Sequence, residues 1–221
     1  MFIQIDDLLS PQEVHAISEL ARQTRFVDGR RTNPHNTTKV NAIADATDPM
    51  SQKASQLALA ALQRCESARD FVFPLRMAVP NLCRYGVAMK YGPHTDAAFL
   101  LLVGEQPLRS DVSCTIFISN PMEYEGGELI IHLGSETLRI KGKPGSAVFY
   151  PSTTVHEVMP VTSGERLVII TFIESQIPDQ MQRDLLYTLR EVRALEGLKM
   201  DWRNQIQLEY VIANLHRMWS K

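Results

Sequence analysis

The centre of the chain alternates short apolar runs with turn sequences, and this pattern restricts the fold more than any other feature. Strand-like runs are predicted at residues 78–84, 114–119, 128–133, 137–140, 147–150 and 166–173. Turn sequences separate them, notably Gly126-Gly127 and the segment around Gly164. Short strands punctuated in this way are typical of a sandwich or barrel and not of alternating βα units. The sequence therefore predicts a β core over residues 75–176.

Helical patterns lie on both sides of this core. Ser10-Pro11-Gln12-Glu13 has the spacing of a capping box, and a second helix start appears at Asp48-Pro49. The polar segment 28–47 between these helices is predicted to be a long loop. After residue 176, two amphipathic stripes separated by Gly197 predict a helical hairpin. We therefore predict an α+β chain with three parts: an N-terminal helical region packed on the core (1–74), the β core (75–176) and a C-terminal helical hairpin (177–221).

Composition excludes several classes of protein. The net charge of −2 lacks the basic excess of a nucleic-acid binder. No apolar run approaches the roughly 18 residues of a bilayer span. Three widely spaced cysteines indicate neither a disulfide framework nor a zinc site. We therefore expect a soluble, cytoplasmic protein without nucleic-acid or membrane partners.

Two histidines and an aspartate have the pattern of a metal site. His94 and Asp96 are two residues apart at a predicted strand end, so their side chains point to the same side. His156 follows a later strand. Together they match the facial triad of two histidines and one carboxylate that holds non-haem Fe(II). The alternative for His94 is a turn in which it is hydrogen-bonded to Asp96. The alternative for His156 is a structural histidine that is hydrogen-bonded near the rim of the β core.

Arg166 is a candidate anion-binding residue. It opens the apolar run Leu167–Ile173, ten positions after His156. A guanidinium buried there requires an anionic partner, and its planar fork suits a carboxylate. The alternative is a rim arginine that pairs with Glu165 or Glu128. The joint spacing of the four residues favours a single site.

At these residues the sequence resembles the Fe(II)- and 2-oxoglutarate-dependent dioxygenases, and more narrowly the bacterial PKHD-type hydroxylases associated with iron uptake. The resemblance extends over nearly the whole chain and is carried by these segments: Phe26–Arg30, Asn81–Tyr85, His94–Asp96, Thr115–Ser119, Tyr124–Leu129, Tyr150–Ser152 with His156, and Val161-Thr162 with Gly164. The sequence departs from the family at Thr171-Phe172-Ile173, where members typically have an aromatic-rich run. This departure concerns packing and pocket shape more than chemistry.

The resemblance implies a double-stranded β-helix, or jelly roll, and a hydroxylase that uses Fe(2+), 2-oxoglutarate, oxygen and L-ascorbate. It implies that His94, Asp96 and His156 are the iron ligands. Arg166 matches the residue that binds the distal carboxylate of 2-oxoglutarate, and Tyr85 matches a tyrosine that lines the same pocket. The implied substrate is a small molecule or a peptide, as in prolyl and lysyl hydroxylases, but the sequence does not identify it.

Two other classes of protein remain open from the sequence. A cupin-like isomerase would share the β architecture and a metal without oxidation, and a non-catalytic metal-binding module would need no Arg166. His132 is expected to be structural, and the run Phe99–Val103 is expected to be core or packed loop. The C-terminal hairpin docks either on its own chain or on a second copy in a homo-oligomer.

Overall fold

The computed structural model describes residues 1–101, 104 and 106–221. Within these ranges the helices are α1 (Pro11–Gln23), α2 (Pro49–Arg64), α3 (Glu66–Val72), α4 (Gln180–Glu196) and α5 (Trp202–Trp219). The strands are β1 (Ile3–Ile5), β2 (Phe26–Asp28), β3 (Lys39–Val40), β4 (Ala42–Ala44), β5 (Pro74–Met77), β6 (Asn81–Tyr85), β7 (Lys90–His94), β8 (Phe99–Leu100), β9 (Leu108–Arg109), β10 (Val112–Phe117), β11 (Glu125–Gly126), β12 (Leu129–Leu133), β13 (Glu136–Ile140), β14 (Ala147–Pro151), β15 (His156–Val158), β16 (Val161–Ser163) and β17 (Arg166–Ser175).

Two antiparallel sheets form the core. The larger has the strand order β1-β14-β10-β17-β6-β4-β2, with β5 added beside β17, and the smaller has the order β13-β12-β15-β7-β3. Their inner faces enclose a cluster of buried side chains that includes Val148 and Val168 from the larger sheet and Ile131 from the smaller. The predicted α+β fold with a jelly-roll core is confirmed.

The central strands are apolar on both faces because both faces are covered. Along β17, Val168 lies in the cluster between the sheets, whereas Leu167 and Ile169 pack with the helices. The outer face of the larger sheet is covered by α1, α2 and α3, which contribute Ile17, Leu62 and other buried residues. A strand buried on both sides reads as a continuous apolar run, which is why β17 was visible in the sequence.

The prediction of a long polar loop over residues 28–47 is wrong in its central part. A 3-10 turn at Gly29–Thr32 leads into β3 and β4, which pair with β7 of the smaller sheet and β6 of the larger. Lysine, alanine and asparagine have low strand propensity, so these short strands depend on the partners with which they pair. Residues 1–74 therefore contribute strands to both sheets as well as three helices.

The predicted strand at 78–84 is shorter in the structure, where only its part from Asn81 onward is strand. β5 ends at Met77 and β6 begins at Asn81, with Pro80 between them. Proline has no N–H for a ladder bond, so a central strand cannot run through it. The run at residues 99–103 was expected to be core or packed loop, but its Phe99 and Leu101 are exposed. Leu102 and Val103 lie outside the described residues.

Several local predictions are confirmed. Ser10 and Glu13 form the capping box of α1, in which Ser10 N donates to Glu13 Oε2 at 2.8 Å. The C-terminal hairpin is present, and Gly197 begins the short 3-10 turn that ends α4. Its inner face packs against Phe73 and Ile177, so the hairpin docks on its own chain. None of the helices in the described ranges is long and apolar enough to cross a bilayer.

Candidate metal centre and anion pocket

The structure brings His94, Asp96 and His156 together where β7 and β15 of the smaller sheet meet. His94 ends β7, His156 begins β15, and the two residues are Cα partners in that antiparallel pair. Nε2 of His94 is 4.0 Å from Asp96 Oδ1, and Nε2 of His156 is 3.7 Å from Asp96 Oδ2. One ligand atom from each residue lies within 4.8 Å of the others. This donor set fits a single divalent ion, and the hydrogen bond between His94 and Asp96 that was the alternative is not formed.

Backbone carbonyls orient both imidazoles. Nδ1 of His94 donates to the Gly92 carbonyl at 2.8 Å, and Nδ1 of His156 donates to the Thr154 carbonyl at 3.0 Å. A carbonyl only accepts, so each Nδ1 carries a hydrogen, and Nε2 is the nitrogen that can bind a metal. Metal-binding histidines are commonly held in this way. Each ring therefore presents a donor nitrogen toward Asp96.

A chain of buried serines holds the carboxylate. Ser113 donates to Asp96 Oδ2 at 2.5 Å, and Ser152 lies 2.8 Å from both Ser113 and Ser110, oxygen to oxygen. Ser113 lies on β10, Ser110 just before β10, Ser152 just after β14 and Asp96 just after β7. The hydrogen bond to Oδ2 leaves Oδ1 free to bind a metal. These serines carry no signal in the sequence that separates them from other polar turn residues.

Burial shifts the pKa values of the candidate ligands. The pKa of His94 is lowered to about 4, first by burial and then by the neighbouring His156, so this imidazole is neutral at pH 7. Burial raises the pKa of the Asp96 carboxyl, although Ser113 and His156 act against the shift. Metal binding requires neutral imidazoles and an ionised carboxylate, and acid therefore opposes it.

Tyr91 is a neighbour of the site that sequence reasoning missed. Its ring stacks on the His94 ring, with centroids 3.5 Å apart and an angle of 17° between the planes. The pairing of β7 with β15 shifts register between Tyr91 and His94, and this bulge allows residues three apart to share a face. Gly92-Pro93 within a strand is a cue for such an irregularity.

Arg166 is buried inside the barrel, where it contacts the Tyr124 side chain but has no anionic partner among the described residues. Arg166 is 1% exposed, and its Nε and Nη1 have no hydrogen-bond partner. Its Cζ lies 5.1 Å from the centroid of the Tyr85 ring, and the two residues are Cα partners on β17 and β6. The alternative ion pair is absent: Glu165 lies near Arg84, and Arg166 forms no ion pair within the described part of the chain. An anion with two oxygens fits this guanidinium.

Gly127 makes room for this arginine. Its φ is +67°, and a Cβ there would lie 3.1 Å from Arg166 Cδ and 3.0 Å from Val161 Cγ2. The Gly126-Gly127 turn is thus required by packing beside the pocket, in addition to its role as a turn. His132 has the structural role that was expected, since its Nε2 lies 3.1 Å from Glu157 Oε1, away from the triad.

Two further buried polar residues come from the segment that was taken for a loop. Lys39 and Asn41 are both buried, whereas Val40 between them is exposed. Asn41 Oδ1 has no hydrogen-bond partner, and its side chain contacts the Tyr85 hydroxyl. The sequence contains no sign that these two polar side chains are buried inside the barrel.

Comparisons with known proteins give a consistent result. Residues 80–174 match the family described as the 2OG-Fe(II) oxygenase superfamily. A PKHD-type hydroxylase of Sphingopyxis alaskensis is 47% identical over 97% of both chains, and one of Crocosphaera subtropica is 37% identical over the full length of both.

Solved structures support the fold. A Pseudomonas putida prolyl-4-hydroxylase has a TM-score of 0.60 at 20% identity and covers 79% of this chain and 92% of its own. A Trichoplax adhaerens prolyl hydroxylase in complex with a peptide fragment of hypoxia inducible factor has a TM-score of 0.57 at 17% identity, over 83% of this chain and 86% of its own.

Proposed function

The chain belongs to the PKHD-type hydroxylases of the 2OG-Fe(II) oxygenase superfamily, and on that premise we propose which of its residues carry the reaction. It is a 2-oxoglutarate-dependent dioxygenase that requires Fe(2+) and 2-oxoglutarate, and the family also implies ascorbate. This membership does not support a cupin-like isomerase or a non-catalytic module. We propose that His94, Asp96 and His156 bind the iron, and that Arg166 and Tyr85 bind the 2-oxoglutarate.

The observation that carries this proposal is a buried guanidinium that has no anionic partner in the described part of the chain. A buried, unpaired charge costs several kcal/mol, so Arg166 needs an anion that enters the barrel. Arg166 and the triad both face the space between the two sheets, on opposite sheets. A dicarboxylate can therefore place one end at Arg166 and the other at the metal ligands. The Tyr85 ring packs beside the guanidinium and keeps this end of the pocket shielded from water.

The residues divide the work between binding and orientation. When bound, iron and 2-oxoglutarate supply the oxidising power that turns a C–H bond into C–OH, with one oxygen atom of O2 in the product and the other in succinate, and with release of CO2. The two imidazoles and Asp96 would hold the metal from one side. The hydrogen bond from Ser113 to Oδ2 orients Asp96 and favours its ionised form. Arg166 would hold the far carboxylate of 2-oxoglutarate and so orient its other end toward the triad.

We also propose a prolyl- or lysyl-hydroxylase-like substrate, either a small molecule or a peptide, and a role in iron uptake in the cytoplasm. The Trichoplax neighbour carries a peptide, which supports an open cleft of this general kind. Substrate and physiological context rest on the family resemblance alone.

The experiment that tests this function is a turnover screen. We expect the Fe(2+)-loaded protein to consume oxygen and form succinate only when 2-oxoglutarate is present, with faster turnover when an accepted substrate is added. Free amino acids, peptides and siderophores form the panel, and a new hydroxylated product is detected by mass spectrometry. The Asp96→Ala variant is the control for adventitious iron chemistry. Oxygen consumption independent of 2-oxoglutarate would contradict the proposal.

We propose that the C-terminal hairpin also forms a homo-oligomer. The outer side of α4 carries exposed apolar residues at coiled-coil spacing, and α5 adds a second set: Met181, Leu185, Val192 and Leu195 on α4, and Trp202, Ile206 and Tyr210 on α5. The inner face of the hairpin already packs on its own chain, so this second surface has no partner within the described residues. Identical patches pair across a two-fold axis.

Light scattering tests the oligomer. At micromolar concentration the wild-type chain is expected to show at least twice the 25.0 kDa mass of one chain. The double variant Leu185→Glu/Leu195→Glu should be monomeric, because charges in an apolar interface are strongly unfavourable. Leu133→Glu, at an exposed site at the end of β12, serves as the matched control and should keep the wild-type mass. A monomeric wild-type chain would contradict the oligomer.

A further inference from the structure

Lys39 is a buried cation that the reaction described above does not use. The residue is 5% exposed, and its Nζ donates to Thr32 Oγ1 at 2.5 Å. Thr32 in turn donates to the Gly29 carbonyl at 3.1 Å, so its hydroxyl holds the ammonium in one place. An ammonium has three donors, and only this one has a partner in the described ranges. No carboxylate there lies within 4.0 Å of Nζ, so the charge is unpaired.

The ammonium lies beside the metal centre. Nζ is 4.9 Å from the centroid of the Tyr91 ring, and that ring stacks directly on His94. Asn33 donates to the Tyr91 hydroxyl at 2.9 Å, which fixes the ring between cation and imidazole. A single aromatic ring thus separates the Lys39 charge from a candidate iron ligand.

Neighbouring acidic groups do not neutralise Lys39. Burial lowers the pKa of Lys39, and Cys83, Asp96 and Asp28 are the titratable groups that act against this shift. Asp28 binds Arg30 at 2.6 Å, and burial raises the pKa of the Cys83 thiol to about 11, so this thiol is uncharged at pH 7. Asp96 remains, but its charge is needed by a metal bound at the triad.

The balance of charge in the loaded cavity points to another anion. Fe(2+), Lys39 and Arg166 carry four positive charges, against which Asp96 and the two carboxylates of 2-oxoglutarate supply three negative ones. Buried charge that is not neutralised is costly, so one negative group is missing from the site. The organic substrate is the component that has not yet been counted.

We infer that Lys39 binds a carboxylate of the substrate that is hydroxylated. This inference rests on the proposed function and narrows its substrate class to acids: a free amino acid, another small carboxylic acid or the C-terminal residue of a peptide. Residues in the interior of a polypeptide lack this group. The two ammonium donors without a partner are available to the two oxygens of a carboxylate, and Thr32 and Tyr91 keep the ammonium in position.

The test uses a small acid and its neutral isostere. N-acetylglycine, a mimic of a peptide C-terminus, and N-acetylglycinamide are titrated into anaerobic protein saturated with Fe(2+) and 2-oxoglutarate, with binding followed by calorimetry. The wild-type protein should bind the acid saturably and the amide at least roughly tenfold more weakly, since a charge-assisted hydrogen bond is lost. Lys39→Met should bind the acid at least roughly tenfold more weakly than wild type, and Lys39→Arg should retain binding.

Lys90→Met is the matched control, because Lys90 is exposed and lies on the adjacent strand. It should bind the acid like wild type. Lys39→Met should unfold at the same temperature as wild type or higher, because methionine replaces an unpaired buried charge with an apolar chain of similar size.

Three results would overturn the inference. The first is equal binding of acid and amide, or no binding of either, by wild type. The second is unchanged acid binding by Lys39→Met. The third is a lower unfolding temperature of Lys39→Met together with weaker 2-oxoglutarate binding, which would assign the ammonium to the co-substrate. Failure of the wild-type protein to bind Fe(2+) or 2-oxoglutarate at all would instead contradict the proposed function.

Discussion

Replacing His156 with alanine is expected to weaken Fe(2+) binding by at least about 100-fold and to abolish turnover of 2-oxoglutarate. The variant removes one of the three donors of the triad, and the two that remain cannot occupy a full face of the metal. Loss of an outer-shell partner alone costs roughly 10- to 100-fold in affinity, and a direct ligand contributes more. Anaerobic titration with a competing chelator measures the dissociation constant.

His132→Ala is the control for this experiment. His132 lies on β12, the strand next to β15, but its ring pairs with Glu157 on the other side of the sheet. Its loss should leave Fe(2+) affinity within about twofold of wild type, because the ring is far from the triad. Tight iron binding by the His156→Ala protein would mean that the three residues are neighbours without being ligands.

Replacing Arg166 with lysine is expected to raise the dissociation constant of 2-oxoglutarate by roughly 10- to 150-fold while Fe(2+) binding is unchanged. Lysine keeps the charge, but its ammonium cannot bind two carboxylate oxygens in the plane of a guanidinium fork. A hydrogen bond to a charged group contributes about 1.5–3 kcal/mol, which corresponds to this range. Calorimetric titration of 2-oxoglutarate into the anaerobic, Fe(2+)-loaded protein provides the measurement.

Arg84→Lys is the matched control. Arg84 lies on β6, next to Tyr85, but it points to the outside, where it is half-exposed and close to Glu165. The energy of exposed ion pairs is small, so 2-oxoglutarate affinity should not change. If Arg166→Lys bound 2-oxoglutarate as tightly as wild type, the unpaired guanidinium would have to serve a different anion.

The residues of the candidate site could largely be selected from the sequence. His94 and Asp96 are two residues apart, and the period of two of extended backbone predicts that both side chains lie on one side, although β7 itself ends at His94. Arg166 was a candidate because a guanidinium at the head of a long apolar strand needs an anionic partner, although a rim arginine paired with Glu165 or Glu128 remained possible. The structure brings the triad together and leaves the Arg166 guanidinium without an anionic partner among the described residues, as the carboxylate interpretation requires.

The supporting residues could not be selected in this way. Ser113, Ser152 and Tyr91 contact the triad only because strands distant in sequence pair in a particular register. Lys39 belongs to a polar segment that was predicted to be a loop, and its two-residue strand is too short for any periodicity. Serine and lysine are mostly exposed residues, so their types give no hint of burial.

The sequence by itself determined the fold class, the two helical flanks and the four residues proposed for the site, because these follow from periodicity, capping and side-chain chemistry. Only the tertiary structure decided which polar residues surround them. Residues 28–47 acquire their strands from pairing with β6 and β7, and this pairing buries Lys39 and Asn41 inside the barrel. Local propensity acts over a few residues. These contacts instead join segments that are far apart in the sequence, and the strands that stabilise them lie outside the local segment.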